Sequence, residues 1–261
     1  MKKEGYRIVS IPRERRFSLD AGRLGRKKHI VHGLAELDVT VARERIRAYK
    51  EKSGERLSFT AFIINCLGEA ISHHDQLHAY RNWRGQLVIF EDVNIVIMIE
   101  IERDGRKVPM PYVLQAVNKK SYLEVHQEIR AAQSAPAETK GAKFMDWFLV
   151  LPWPARRLFY WVVLRMPQHF RASSSSVLVT AVGMFSRGAS WAITMPSHTL
   201  AVALGGIAQK PGVVDGQIVP REYLHVTISI DHDVVDGAPM ARFGNELMVL
   251  IEQGYGLPDG D

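Results

Sequence analysis

Ser229-Ile230-Asp231-His232-Asp233-Val234-Val235-Asp236-Gly237 is the stretch on which the fold turns. Leading into it, Leu224, Val226, Ile228 and Ile230 alternate with His225, Thr227, Ser229 and Asp231, the period of two that predicts a half-buried strand. Beyond it, Met240, Phe243, Leu247, Leu250 and Ile251 share one helical face, so a helix is predicted from Gly237 to Gln253, stopped by Gly254. A histidine therefore leaves the end of a strand, and an Asp-Gly pair follows before a helix. Such a turn can hold an imidazole rigidly at an edge. Histidine supplies a general base near neutral pH without a large pKa perturbation, and Asp236 can supply order rather than protons. Taken alone, the stretch is explained about as well by a structural turn with a satisfied histidine.

Upstream, Val41, Ile46 and Tyr49 recur among charges from Asp38 to about Gly54, the pattern of a surface helix. Ser58 is placed to cap a second helix through Ala61, Ile64, Leu67 and Ile71, whose nearly continuous apolar character predicts burial. Residues 79–83 and 87–90 around Arg84-Gly85 read as a hairpin, and the β-branched run 93–101 as a strand buried on both faces, ended by a turn at Asp104-Gly105. Ser121 and Glu124 have capping-box spacing ahead of a helix reaching about Gln133. An Ala/Pro/Lys-rich link over 134–143 follows, then an aromatic segment over 145–166, then strand candidates at 177–184 and 200–207. Gly205-Gly206 reads first as a bulge and second as a close backbone approach.

With 261 residues, 46% hydrophobic and 24% charged, the chain can bury one substantial core, and a single domain over 1–261 is expected. The net charge of +6 suits polyanionic partners without choosing among them. The basic tracts 13–16 and 23–28 read as exposed charge and lack the aromatic interleaving of a nucleic-acid surface, so no nucleic acid is expected. Cys66 stands alone in an apolar run, which predicts a small core residue, no intrachain disulfide and a reducing, cytoplasmic setting. No secretory signal opens the chain. The segment 145–166 is broken by Pro152, Pro154, Arg156 and Arg157, and neither half approaches the ~20 apolar residues of a spanning helix. It is left as an acyl-chain pocket, a lid or a peripheral membrane surface. His73, His74 and His78 read as a solvated loop rather than a metal site, and no metal is expected.

The sequence resembles the catalytic domain of the dihydrolipoyl acyltransferases of 2-oxoacid dehydrogenase complexes, and also chloramphenicol acetyltransferase, families that carry His-x-x-x-Asp-Gly. The likeness extends to Leu37-Asp-Val-Thr40, residues 57–64, Asp104-Gly-Arg-Lys-Val-Pro109, Lys120-Ser121, Pro211, Gly216-Gln-Ile-Val219, Arg221, Ala238 and Ala241-Arg-Phe243. Residues 85–90 and 26–29 are similar to the chloramphenicol enzyme. Residues 144–174 fall outside it as an atypical hydrophobic insertion.

The resemblance implies an α/β fold of the chloramphenicol acetyltransferase-like two-layer sandwich type, a mixed sheet flanked by helices. It also implies a homotrimer, or a multiple of trimers, with sites between subunits. Acyl groups would pass between coenzyme A, as cosubstrate, and an acceptor. His232 would be the base, and Thr180 would stand where the family has a serine, its hydroxyl donating to the tetrahedral oxyanion. Asp236 would be the structural aspartate, paired with Arg26, with Gly237 supporting the turn. Ala181 and Asp233 depart from the pattern, which bears on the acceptor and on His232. Residues that bind coenzyme A are not read from the sequence.

No lipoyl domain or subunit-binding domain is recognised, so no lipoyl group is expected on this chain and the acceptor need not be lipoamide. A carrier protein could replace coenzyme A as donor. Two other accounts compete: a noncatalytic trimeric scaffold that docks a partner or membrane through the insertion, and an antibiotic O-acetyltransferase. Asp231 before His232, rather than a second histidine, counts against the latter.

Overall fold

The computed structural model describes residues 6–12, 15–103, 106–135, 144, 147–170, 175–195 and 197–258. The expected turn at Asp104-Gly105 and the link over 136–143 lie outside the described residues, as do the last residues of the insertion, 171–174.

The helices form where local signals place them. Asp38 ends strand β1 (Ile30–Asp38), and its carboxylate accepts from the Thr40 amide and hydroxyl, starting α2 (Thr40–Ser53). That helix stops at Gly54, whose φ of 74° is the left-handed cap conformation open to glycine. Ser58 accepts from the Ala61 amide at 3.2 Å and opens α3 (Phe59–His73). Phe62, Ile64, Leu67 and Ile71 of α3 are fully buried, each contributing about 1.5–3 kcal/mol by leaving water. The Ser121–Glu124 capping box is formed in both directions and starts α4 (Tyr122–Ser134). Ahead of α1 (Arg15–Gly25) the chain carries only irregular structure among the described residues.

Among the described residues, one six-stranded sheet runs in the order β1-β8-β7-β6-β4-β5, with β4 (Ile95–Arg103), β5 (Arg106–Leu114), β6 (Val177–Ala181), β7 (Leu200–Val214) and β8 (Gln217–Asp231). β6 pairs in parallel with β4 and β7, and the other pairs are antiparallel, so the sheet is mixed as expected. The small hairpin β2 (Tyr80–Arg81) and β3 (Leu87–Val88) stands apart. Helices α2, α3, α4 and the closing helix α6 (Gly237–Gln253) cover one face and share a core in which α3 packs on both α4 and α6. The insertion folds back as helix α5 (Trp153–Arg165), entered through Pro152 and carrying Pro154 in its first turn, where a missing N–H costs nothing. No described helix is long and apolar enough to cross a membrane.

β7 and β8 are both longer than their apolar runs imply. They join through Asp215 (φ 50°) and Gly216 (φ 78°), the two left-handed residues of a tight hairpin turn. Asp-Gly is the sequence signal for such a turn.

The half-buried reading of β8 is corrected. His225, Thr227, Ser229 and Asp231 are as buried as the apolar residues between them. Part of the cover is the segment 186–195, seated so closely that Gly206 donates its amide to the Ser190 carbonyl at 2.9 Å and the Trp191 ring meets the His225 ring edge-on at 4.4 Å. A Cβ on Gly205 would fall 2.0 Å from Ser190 O, and one on Gly206 1.9 Å from Gly188 O. The glycine pair is thus both the bulge, marked by a register shift between Leu204 and Ile207, and a close approach. The solvated-loop reading of the histidines is also corrected. His78 is buried, and His73 and His74 converge on Glu246 at 2.5 and 2.8 Å because α3 ends against α6.

Candidate functional site

The end of β8 is clamped from several directions. The Asp231 amide donates to Thr199 O at 2.8 Å, and the His232 amide donates to His29 O at 2.8 Å. The Asp231 carbonyl then accepts from Val234 and Val235 at 2.9 and 3.0 Å, closing the turn, while the buried Val235 side chain anchors it in the core. Asp231 Oδ2 accepts from Lys28 Nζ at 2.5 Å, and the carboxylate is 5% exposed. His29 Nδ1 lies 2.9 Å from Asp233 Oδ1. Against this fixed backbone the His232 side chain is exposed and has no hydrogen-bond partner among the described residues. An imidazole held this way is free to take a proton from a bound molecule.

Asp236 caps α6 by position only, since its side chain makes no capping hydrogen bond and stands exposed. The expected Arg26–Asp236 pair is not formed among the described residues. Arg26 sits exposed in the turn after α1, whereas Lys28 runs in beside β1, whose register sets Ile30 opposite Asp231. Lys28 is therefore the cation that reaches the end of β8. A Cβ at Gly237 would meet nothing within 4 Å, so this chain alone leaves open space there.

Thr180 lies half-buried on β6, opposite Ala203, which in turn lies opposite Thr227, five residues before His232. At ~3.3 Å per residue and ~4.8 Å per strand, Thr180 and His232 of one chain stand roughly 19 Å apart. The two side chains cannot meet on one reacting atom within a single chain.

Two residues near His232 escaped sequence reasoning. Lys28 was hidden in a basic tract whose other members are exposed. His198 is half-buried with Nδ1 2.7 Å from Ser197 Oγ, and burial, reinforced by the Lys28 charge, pushes its pKa down to about 4. It is neutral at neutral pH. No sequence signal marks it, because it lies in a stretch without a regular secondary structure whose period could be read.

The family model for the 2-oxoacid dehydrogenases acyltransferase (catalytic domain) matches residues 30–144 and 168–257, leaving out α1 and most of the insertion. Among curated relatives, the dihydrolipoyllysine-residue acetyltransferase component of pyruvate dehydrogenase complex from Mycoplasma genitalium is 23% identical over 87% of this chain and 54% of its own length. The Bacillus subtilis protein of the same name is 25% identical over 83% of this chain and 43% of its own. The chain thus spans about half the length of the curated relatives it matches. Among solved structures, a probable dihydrolipoamide acetyltransferase from Listeria monocytogenes matches with a TM-score of 0.69 at 19% identity, over 97% of each chain. A chloramphenicol acetyltransferase matches with a TM-score of 0.53 at 14% identity, over 93% of this chain and 96% of its own. These likenesses establish the α/β sandwich.

Proposed function

The chain belongs to the family of 2-oxoacid dehydrogenase acyltransferase catalytic domains, and from that premise we propose that it transfers an acyl group between coenzyme A and a nucleophilic acceptor, with His232 as general base. The observation that carries the proposal is the contrast at His232: its backbone is fixed by His29 and the turn, while its ring is exposed and without a partner among the described residues.

His232 takes the proton of the acceptor thiol, hydroxyl or amine as that group attacks the thioester carbonyl. The carbonyl electron pair moves onto oxygen, and a threonine hydroxyl donates a hydrogen bond to the resulting oxyanion. Collapse re-forms the carbonyl and breaks the bond to sulfur. The departing coenzyme A thiolate takes the proton back from the imidazolium, so no acyl-enzyme forms. Asp231, held by Lys28, keeps the turn in place, and Asp236 acts on the order of the loop rather than on protons.

The separation of Thr180 from His232 supports a site between protomers, with His232 from one and Thr180 from its neighbour, in a homotrimer or a multiple of trimers. Open space at Gly237 supports the approach of a ligand or neighbour there. The deciding experiment follows free thiol released from acetyl-, medium- and long-chain acyl-coenzyme A with thiol, amine and alcohol acceptors, comparing wild type with His232→Ala. A wild-type rate lost in a folded variant is expected, by roughly 10²–10⁴-fold. Turnover indifferent to the substitution would overturn the mechanism.

A further inference from the structure

A cavity of about 900 Å³ opens between α1 and α5, and its lining residues fall within 16–27 and 150–160. None of them lies in the stretches that match the family, 30–144 and 168–257. The cavity is therefore an addition to the shared fold.

Its lining includes Arg16, Arg23, Lys27, Arg156 and Arg157 against one carboxylate, Asp20. That carboxylate is already committed: Arg156 Nε donates to Asp20 Oδ2 at 2.8 Å, both side chains are close to buried, and Arg156 also donates to Leu151 O at 2.7 Å. This pair ties α5 to α1 and fixes the cavity's width. Arg23 approaches Asp20 only at 3.5 Å from a largely exposed position. Lys27 and Arg157 have no partner among the described residues. Tyr160 closes the wall, its hydroxyl buried and without a hydrogen-bond partner among the described residues. The cavity thus carries excess positive charge, which suits a phosphate.

The rim is apolar and exposed. On α5, Trp153, Arg157 and Trp161 recur every four residues, with Leu158 beside them, and Arg165 lies 5.1 Å over the Trp161 ring. Trp153, Leu158 and Trp161 are 57%, 61% and 52% exposed, and Val150 at the mouth is 76% exposed. Arginine interleaved with tryptophan is the chemistry of a membrane interface, where rings sit at headgroup depth and cations meet anionic lipid. A second copy presenting the same face would bring like charges together. A soluble anion would leave the tryptophans in water.

We propose that the cavity between α1 and α5 binds the phosphate headgroup of an anionic phospholipid, seating the Trp153–Trp161 face in the membrane interface. Binding requires no catalysis, so it stands or falls separately from acyl transfer.

The test is co-sedimentation of the full chain with vesicles of phosphatidylcholine, with and without phosphatidylglycerol, read alongside tryptophan fluorescence. Wild type should sediment only with the anionic vesicles, with a blue shift and weaker binding at high salt. The folded double variant Lys27→Ser, Arg157→Ser should bind roughly thirtyfold more weakly, from two lost basic contacts. Trp153→Ala, Trp161→Ala should lose the blue shift and most of the binding. Failure of wild type to sediment, or binding unchanged in both double variants, would overturn the proposal. So would thermal stabilisation by inorganic phosphate or glycerol 3-phosphate without vesicle binding, which would assign the cavity to a soluble phosphate.

Discussion

Lys28 Nζ lies 2.5 Å from Asp231 Oδ2, a contact between residues 203 apart in sequence that holds the end of β8 next to His232. Asp231 is nearly buried, so a Lys28→Met variant leaves an unpaired carboxylate that is shielded from water. A loss of about 2 kcal/mol is expected, at the low end for a broken buried pair because Lys28 itself keeps some contact with solvent. Urea unfolding of Lys28→Met, Asp231→Asn and the double variant measures the coupling. Additive losses would show that the pair does not act as a unit.

The ~19 Å between Thr180 and His232 in one chain implies complementation between two inactive variants. His232→Ala and Thr180→Val chains, each inactive alone, are refolded together so that subunits mix. In a ring where each site takes one residue from each of two neighbours, about a quarter of sites then regain both groups. Turnover near that fraction is expected. Mixed assemblies as inactive as their parents would place both groups in one chain's site, against the sheet register.

His198 gives a signed pH dependence. Its pKa is lowered from the ordinary 6.5 to about 4 in the folded chain, first by burial and then by Lys28. Between these values the unfolded chain binds more protons, so stability rises with pH from about 4 to 6.5 and is lost as pH falls through that window. The contribution is on the order of 2 kcal/mol. Denaturant titrations of wild type and His198→Gln at pH 4.5 and 7 should differ in slope against pH, and parallel profiles would remove His198 from this role.

Glycines offer opposite outcomes. Gly206→Ala places a Cβ 1.9 Å from the Gly188 backbone oxygen, which cannot move without unseating the chain at 188–191. A loss of about 3 kcal/mol or more is expected. Gly244 lies inside α6, where the nearest atom to an added Cβ is Ile228 Cδ1 at 4.0 Å, so Gly244→Ala should stabilise by about 0.5–1 kcal/mol. Thermal unfolding of the two variants checks both signs.

What the sequence determined was local or periodic. The Ser121–Glu124 box, the Ser58 cap and the glycine stops at 54 and 254 act within one or two turns, so their residues alone decide where helices begin and end. The strand–His–Asp-Gly–helix order was legible for the same reason, as was the family likeness that it carries. Asp215-Gly216 was equally local, and reading it as a hairpin turn would have given β7 and β8 their full length.

What only the tertiary structure decided involves partners far apart in the chain. Alternation along β8 shows which side chains share a face, yet whether that face meets water depends on what folds over it, as Trp191 does at His225. The choice of Lys28 over Arg26 at the end of β8 follows from the β1–β8 register, and the distance from His232 to Thr180 from strand order. A period of two fixes the direction of a side chain but not what packs against it, and it is the packing that sets burial, charge pairing and pKa.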